Sequence, residues 1–330
     1  MRKLVEQDGT IAFGIYDDVI GELNFGDYSL RTPMGLPVPG FLKSLKFNQF
    51  HFFGLMGPEL MAGMAVVNLK LVTNGFFYLY DRGKKEVIET KKLALPGGKT
   101  CIRLNPAQVD SVFESGDFRI SMKGNRMEAE GRNIRLEIET ALEKTRPLRI
   151  CTRAGYRGWV YTQKTSPIPV KGTIFCNGKT HAVASPEYMG LMDWTGGFMR
   201  KHTCWNWAAT AATLKDGRTF GLNLACGVNE TGFTENAFWL DGVMTKVDTV
   251  NFVFDSRDLY RPWRMASQDG KVELLFHPER ERSEKIHVGL IASRFTQLMG
   301  TLEGRLTTDA GEQVRLDNCP AWAEDHYAKW

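Results

Sequence analysis

Apolar and polar residues alternate in short runs along most of this chain, and turn dipeptides separate the runs. "LKLVTNGFFYLYD" places Asn74-Gly75 between two β-rich segments, the strongest short hairpin signal. "FRISMKGNRMEAEGRNIRLEIET" reads as three strands separated by Gly-Asn and Gly-Arg-Asn turns. "GTIFCNGKTHAV", "ATLKDGRTFGLNL", "FWLDGVMTKV" and "SQDGKVELLF" repeat the pattern in the second half. Helical periodicity is nearly absent. The best helix candidate is "NPAQVDSVFES", with Asn105 as cap and Pro106 at the first helical position. Short strands with frequent turns predict an all-β sandwich or barrel system, and at this length two barrel-like units. Two prolines in "TQKTSPIPVKG" interrupt the pattern, so the expected division is 1–165 and 166–330.

Two hairpins can be registered on paper. With Asp216-Gly217 as a two-residue turn, Lys215 pairs with Arg218. One face then carries Trp205, Trp207, Ala209 and Ala211 opposite Val228, Cys226, Leu224 and Leu222. The other carries Asn206, Ala208, Thr210 and Ala212 opposite Gly227, Ala225, Asn223 and Gly221. Neither face bears a charge, so both are expected to be covered. The small, amide-bearing face leaves room for a second sheet, a buried water or a ligand approached by Asn206 and Asn223. With Asp241-Gly242 as the second turn, Asn236 joins Phe238 and Leu240, while Glu235 joins Ala237 and Trp239 and lies diagonal to Lys246. Asn236 is therefore the better site candidate, as a buried amide that must find hydrogen-bond partners. Glu235 is the second choice, with a rim salt bridge as its plainer reading.

Composition narrows the function classes. The 330 residues carry 43% apolar and 24% charged side chains and a formal charge of +4, with the charges interspersed. No basic stripe with interleaved aromatics occurs, so nucleic acid is not an expected partner. The run "HPERERSEKIH" reads as a solvated loop between strands. Six cysteines stand without a C-x-x-C or a histidine at zinc-finger spacing, so no metal is expected. The N-terminus lacks a signal-peptide core and no run is apolar enough for a transmembrane helix, which points to a cytoplasmic, soluble protein. No phosphate loop or dinucleotide fingerprint appears, and no cofactor is expected.

The motifs "DWTGGFMRKHTCWNWA", "GRTFGLNLACGVNETGFTENAFWLDG", "PWR", "VELLFHPERER" and "AEDHYAKW" resemble the bacterial domain of unknown function 2804 family. More distantly, Asp193-Trp194, the Trp205-Asn206-Trp207 strand and the Asp216-Gly217 turn are similar to carotenoid 1,2-hydratases and related tandem lipocalin-like (calycin) proteins. That group tends to have an acid where this chain has Asn206. The resemblance implies two lipocalin-like barrels and a hydrophobic ligand such as a fatty acid or isoprenoid. Three readings follow: a lipid- or isoprenoid-binding protein with its pocket mainly in the C-terminal half, a cofactor-free hydratase, isomerase or cyclase, or a structural module. For the enzyme, Asp193 is the candidate acid, His202 could share its proton, and His326 is a second candidate from the chain end. Trp194, Trp205, Asn206, Trp207, Asn223, Asn236, Trp239 and Tyr327 are the candidate ligand contacts, with Glu235 and Asp325 as second choices. Most of the candidates have a plain alternative: Asp193 as turn closure, His202 as an ordinary surface residue, the chain end as a closing strand.

Overall fold

The computed structural model describes residues 2–95, 99–228, 232–288 and 291–329. Alternation of apolar and polar positions builds two large, curled antiparallel sheets, each rolled around its own apolar core. The first contains the meander Asn48–Met56, Leu60–Asn68, Thr73–Asp81 and Glu86–Ala94. It continues through the long hairpin Gly158–Cys176 and Lys179–Gly197 to Ile134–Thr140, Arg126–Gly131, Phe118–Lys123, Asp110–Ser115 and Lys99–Ile102. Its two ends meet: Thr100 Oγ1 donates to Thr73 Oγ1 at 3.2 Å and Lys92 Nζ to Asp117 at 2.6 Å.

The second sheet runs Val243–Lys246, Ala237–Leu240, Thr219–Cys226, His202–Thr213, Gln313–Lys329, Ile291–Thr307, Val272–Val288, Trp263–Ser267 and Val250–Val253. Phe220, Leu224, Trp263, Phe276 and Leu302 fill its interior. These are two barrels with little helix, as the turn spacing predicts, and lipocalin-like, as the resemblance implies.

The sheets change between Gly197 and His202 rather than near residue 165, because the proline-bearing segment is not a linker. It lies inside the strand Gly158–Cys176, whose register shifts between Thr165 and Ile168. A bulge absorbs the prolines without ending the strand. The three strands of residues 118–140 form as read.

Two local expectations fail for identifiable reasons. Asn74-Gly75 is not a turn; it lies inside Thr73–Asp81, and the chain reverses at Lys70-Leu71, where Leu69 N–H donates to Val72 O. Gly75 is needed there because a Cβ would sit 2.4 Å from the Phe113 ring. Asn105 accepts from Ala107 N–H at 3.0 Å in an Asx turn, and the chain goes on into the strand Asp110–Ser115 instead of a helix. Among the described residues the α-helix is Gly40–Lys46.

The two barrels are joined by a third apolar cluster, with Met56, Met189, Leu191, Trp207, Met299 and Trp322 at its centre. Close approach depends on glycines. A Cβ on Gly221 would lie 2.4 Å from the Ser166 backbone, and one on Gly54 would lie 2.5 Å from the Trp322 ring. Ion pairs also cross the seam, Arg82 to Glu279 at 2.8 Å, Lys91 to Glu284 at 2.9 Å, and Arg282 to Glu89.

Candidate functional site

A cavity of about 420 Å³ lies at that seam, lined by residues of both sheets. It is not housed mainly in the C-terminal half. Phe50, Phe52, Val67 and Phe76 come from the first sheet and Trp205, Trp207 and Phe295 from the second. Volume and lining suit an apolar small molecule.

The long hairpin of the first sheet supplies a charged group to this apolar chamber. Lys164 and Asp193 are directly opposed across its two strands, and Lys164 Nζ donates to Asp193 Oδ2 at 2.5 Å. The other oxygen of Asp193 accepts from Thr195 at 2.9 Å and Thr162 at 3.3 Å. Glu235, in the irregular segment before the strand Ala237–Leu240, approaches to 3.6 Å from the same Lys164 Nζ. Burial pulls the Lys164 ammonium down, but the charges of Asp193 and Glu235 outweigh it and hold it above its ordinary value. Burial raises the Glu235 carboxyl, with Asp193 adding and Lys164 opposing.

The second sheet supplies an uncompensated acid. Trp207, Glu324, Gln297 and Arg282 form one row across four strands, since each faces the next in register. Gln297 Nε2 donates to Glu324 Oε1 at 2.7 Å, and Trp205 Nε1 donates to Oε2 at 3.4 Å. Burial pushes the Glu324 carboxyl up to about 7, against these two donors and the more distant Arg282. In the neighbouring row His326 lies between Trp205, with ring centroids 4.0 Å apart, and Phe295, at 4.9 Å. Its Nε2 pairs with Ser293 Oγ at 2.9 Å, and burial lowers it to about 3, so the imidazole is neutral at physiological pH. Arg282, paired with Glu89, is stacked among the rings of Phe76, Tyr78 and Phe295, 4.4 to 5.1 Å from their centroids.

Of the residues read from sequence, Asp193, Trp205, Trp207, His326 and Glu235 meet in this chamber. Asn223 stands behind it, accepting from Trp207 Nε1 at 2.9 Å and donating to Glu235 O at 2.8 Å. The others lie elsewhere. Trp194 is in the core of the first barrel against Tyr161. Trp239 is buried beside Leu148 and donates to Arg146 O. Asn236 is a buried latch, accepting from Ala225 N–H at 2.6 Å and donating to Asp248 O at 2.9 Å.

Asn206 and Asp325 pair with each other on the opposite strand face, at 3.2 Å. His202 does not meet Asp193; it is exposed and its Nδ1 pairs with Tyr327 OH at 2.8 Å.

The first hairpin explains part of this sorting. Its loop is three residues, Lys215 to Gly217, closed by Leu214 N–H to Arg218 O at 2.8 Å, with Gly217 at φ +88°. The pairing therefore slips by one: Trp207 opposes Ala225 and Ala209 opposes Asn223. A one-residue slip moves every partner to the other face, which is how Asn223 reaches Trp207. The second hairpin forms in the register read from its Asp-Gly turn, with Phe238 opposite Thr245.

Lys164, Glu324 and Arg282 are site residues that sequence reading missed. Glu324 could have been found from the two-residue period, which puts it on the face of His326 and leaves Asp325 on the other. Arg282 sits in the run taken for a solvated loop. That run is part of the strand Val272–Val288, and it carries charge inward because Glu89 and Lys91 wait across the seam. Among the described residues no cluster of histidine, cysteine, aspartate and glutamate has metal-holding geometry, and no helix is long and apolar enough to cross a membrane.

The fold has solved counterparts. Kievitone hydratase from Nectria haematococca superposes with a TM-score of 0.51 at 8% identity, covering 84% of this chain and 87% of that one. A Nitrosomonas europaea protein assigned as AttH gives 0.49 at 14% identity, over 86% and 92%. At such identities the likeness is one of fold. No curated protein matches the sequence. The family model for the domain of unknown function DUF2804 matches residues 1–330, and the chain belongs to that family.

Proposed function

We propose that the protein takes a hydrophobic small molecule, isoprenoid-like in shape, into the chamber between its barrels and exchanges a proton with it through Glu324, as a hydratase or isomerase does. The observation that carries this reading is a carboxyl set in an aromatic wall with its pKa raised to about 7. A general acid works best when its pKa lies near the working pH, where both the donor and its conjugate base are populated. The Trp205 ring, which lines the chamber, can stabilise positive charge developing on a protonated substrate by roughly 0.5–2 kcal/mol. Asp193, which accepts a hydrogen bond from Lys164 Nζ, is the second carboxyl group placed to exchange a proton with water or with substrate carbon.

Kievitone hydratase, alike in fold, is by its name a water-adding enzyme. The residue roles here rest on this chain's own geometry. A carrier without catalysis is the second reading, favoured by the aliphatic stretch Val67, Leu69, Val72 and Leu93 along the wall.

Extraction of the purified protein and mass spectrometry should release a bound apolar molecule. Turnover of that molecule by the native protein but not by Glu324→Gln supports the enzyme, and turnover unchanged in the variant removes Glu324 from it. Release of a molecule that the native protein leaves unaltered favours the carrier.

A further inference from the structure

Resting on the reading of the chamber as the ligand site, the charges in its wall carry a statement about the ligand's polar end. We infer that the chamber selects by charge, accepting an apolar body with an uncharged or cationic end and refusing one that ends in a carboxylate or another anion. The wall holds four carboxyl groups, Asp193, Glu235, Glu284 and Glu324, and two cations, Lys164 and Arg282. Lys164 is engaged, and Arg282 gives Nε and Nη2 to Glu89 while its Nη1, without a hydrogen-bond partner among the described residues, is buried rather than exposed to the chamber. Lys164 bridges Asp193 and Glu235, and it is only 4% exposed. Arg282 is 6% exposed, paired with Glu89 from behind and wedged between aromatic rings.

Glu324 has no cation within ion-pairing distance among the described residues; Gln297 and Trp205 are its donors. Among the described residues an entering anion would find no exposed counter-charge in the wall, and it would face the carboxylates at close range in a medium of low polarity, where repulsion is many times its value in water. An ammonium would instead meet Glu324 beside the Trp205 ring, an arrangement suited to both ion pairing and cation–π contact.

The whole chain has the opposite bias. Its formal charge of +4 attracts anions at long range. Refusal of a carboxylate would therefore come from the chamber and not from the protein's overall field.

The experiment displaces Nile red, an uncharged apolar dye, from the full-length protein at pH 8 with decanol, decylammonium and decanoate. Decanol and decylammonium should displace the dye at concentrations at least ~10-fold below decanoate, a gap that a difference of one tenfold step in affinity represents. Glu324→Gln should weaken decylammonium towards decanol and strengthen decanoate. Glu235→Gln, which removes a different carboxyl from the same wall, should strengthen decanoate as well. Decanoate competing as well as decanol overturns the charge selection while leaving the chamber as a ligand site. Failure of the dye and all three chains to bind overturns the ligand site itself and this inference with it.

Discussion

Trp205 Nε1 points at Glu324 Oε2 from 3.4 Å, in a wall where the only other donor to that carboxyl is Gln297 among the described residues. Two neutral N–H groups are too little to compensate a buried charge, so the acid stays protonated to about pH 7.

The first prediction concerns stability against pH. The folded value of Glu324 lies above its ordinary 4.5, so its contribution is full below about pH 4.5 and is lost as pH rises through about 7. Above that the native state carries a desolvated carboxylate. Glu324→Gln should therefore be more stable than the native protein at pH 8.5, by up to about 3 kcal/mol, and no more stable at pH 4.5. Urea unfolding at the two pH values measures the difference. An equal effect at both would mean that the carboxyl does not titrate in this range.

Lys164 gives a second, opposite case. It holds two carboxylates, Asp193 and Glu235, at 2.5 and 3.6 Å. Lys164→Met leaves them facing each other with only Lys246, beyond ion-pairing distance, acting on Glu235, which should cost about 3–5 kcal/mol. Adding Asp193→Asn should recover a large part of that loss, and a double-mutant cycle by chemical denaturation reads the coupling. Additive single effects would mean that the pair contributes nothing as a pair.

These two groups also mark how far the sequence can be read. The barrels follow from strand alternation and turn dipeptides, and "FWLDGVMTKV" even yields its own register, because Asp241-Gly242 closes the shortest loop. The chamber does not follow, since it is made by packing one barrel on the other. Lys164 looks like an ordinary strand charge and Arg282 like a loop charge until packing puts Glu235 and Glu89 beside them. The amides mislead in the other direction. A buried Asn236 reads as a ligand contact, yet both ends of its side chain are taken by backbone groups, Ala225 N–H and Asp248 O. Asn223 escaped a correct placement through one extra loop residue before Arg218.

Asn236 and Glu235 should accordingly separate in experiment. Asn236→Ala strands the buried Ala225 N–H, while Asp248 is exposed and its carbonyl can turn to water, so the variant should be destabilised by about 1–3 kcal/mol, the range for one lost buried partner. Ligand affinity per folded molecule should not change. Glu235→Gln should alter ligand affinity, since the carboxyl lines the chamber. Calorimetric melting beside Nile red titration distinguishes the two. A large affinity loss in folded Asn236→Ala would return that residue to the site.

His326 tests which group sets the pH dependence of the proposed activity. Its ring is buried between Trp205 and Phe295, and its pKa is lowered to about 3. Its folded value is below the ordinary 6.5, so protonation costs stability as pH falls below about 6.5 and the imidazole stays neutral through the working range. An inflection of turnover near pH 7 is then expected from Glu324 and not from His326. His326→Gln, which keeps a side chain able to meet Ser293, should change the rate but leave the apparent pKa within about half a unit. Glu324→Gln should abolish the inflection and reduce turnover by roughly 10²–10⁴-fold, the usual range for loss of a general acid. The pH–rate profiles of the two variants decide the matter, because only a titrating group can take its inflection away with it. An inflection that disappears with His326 and survives the loss of Glu324 would exchange their roles.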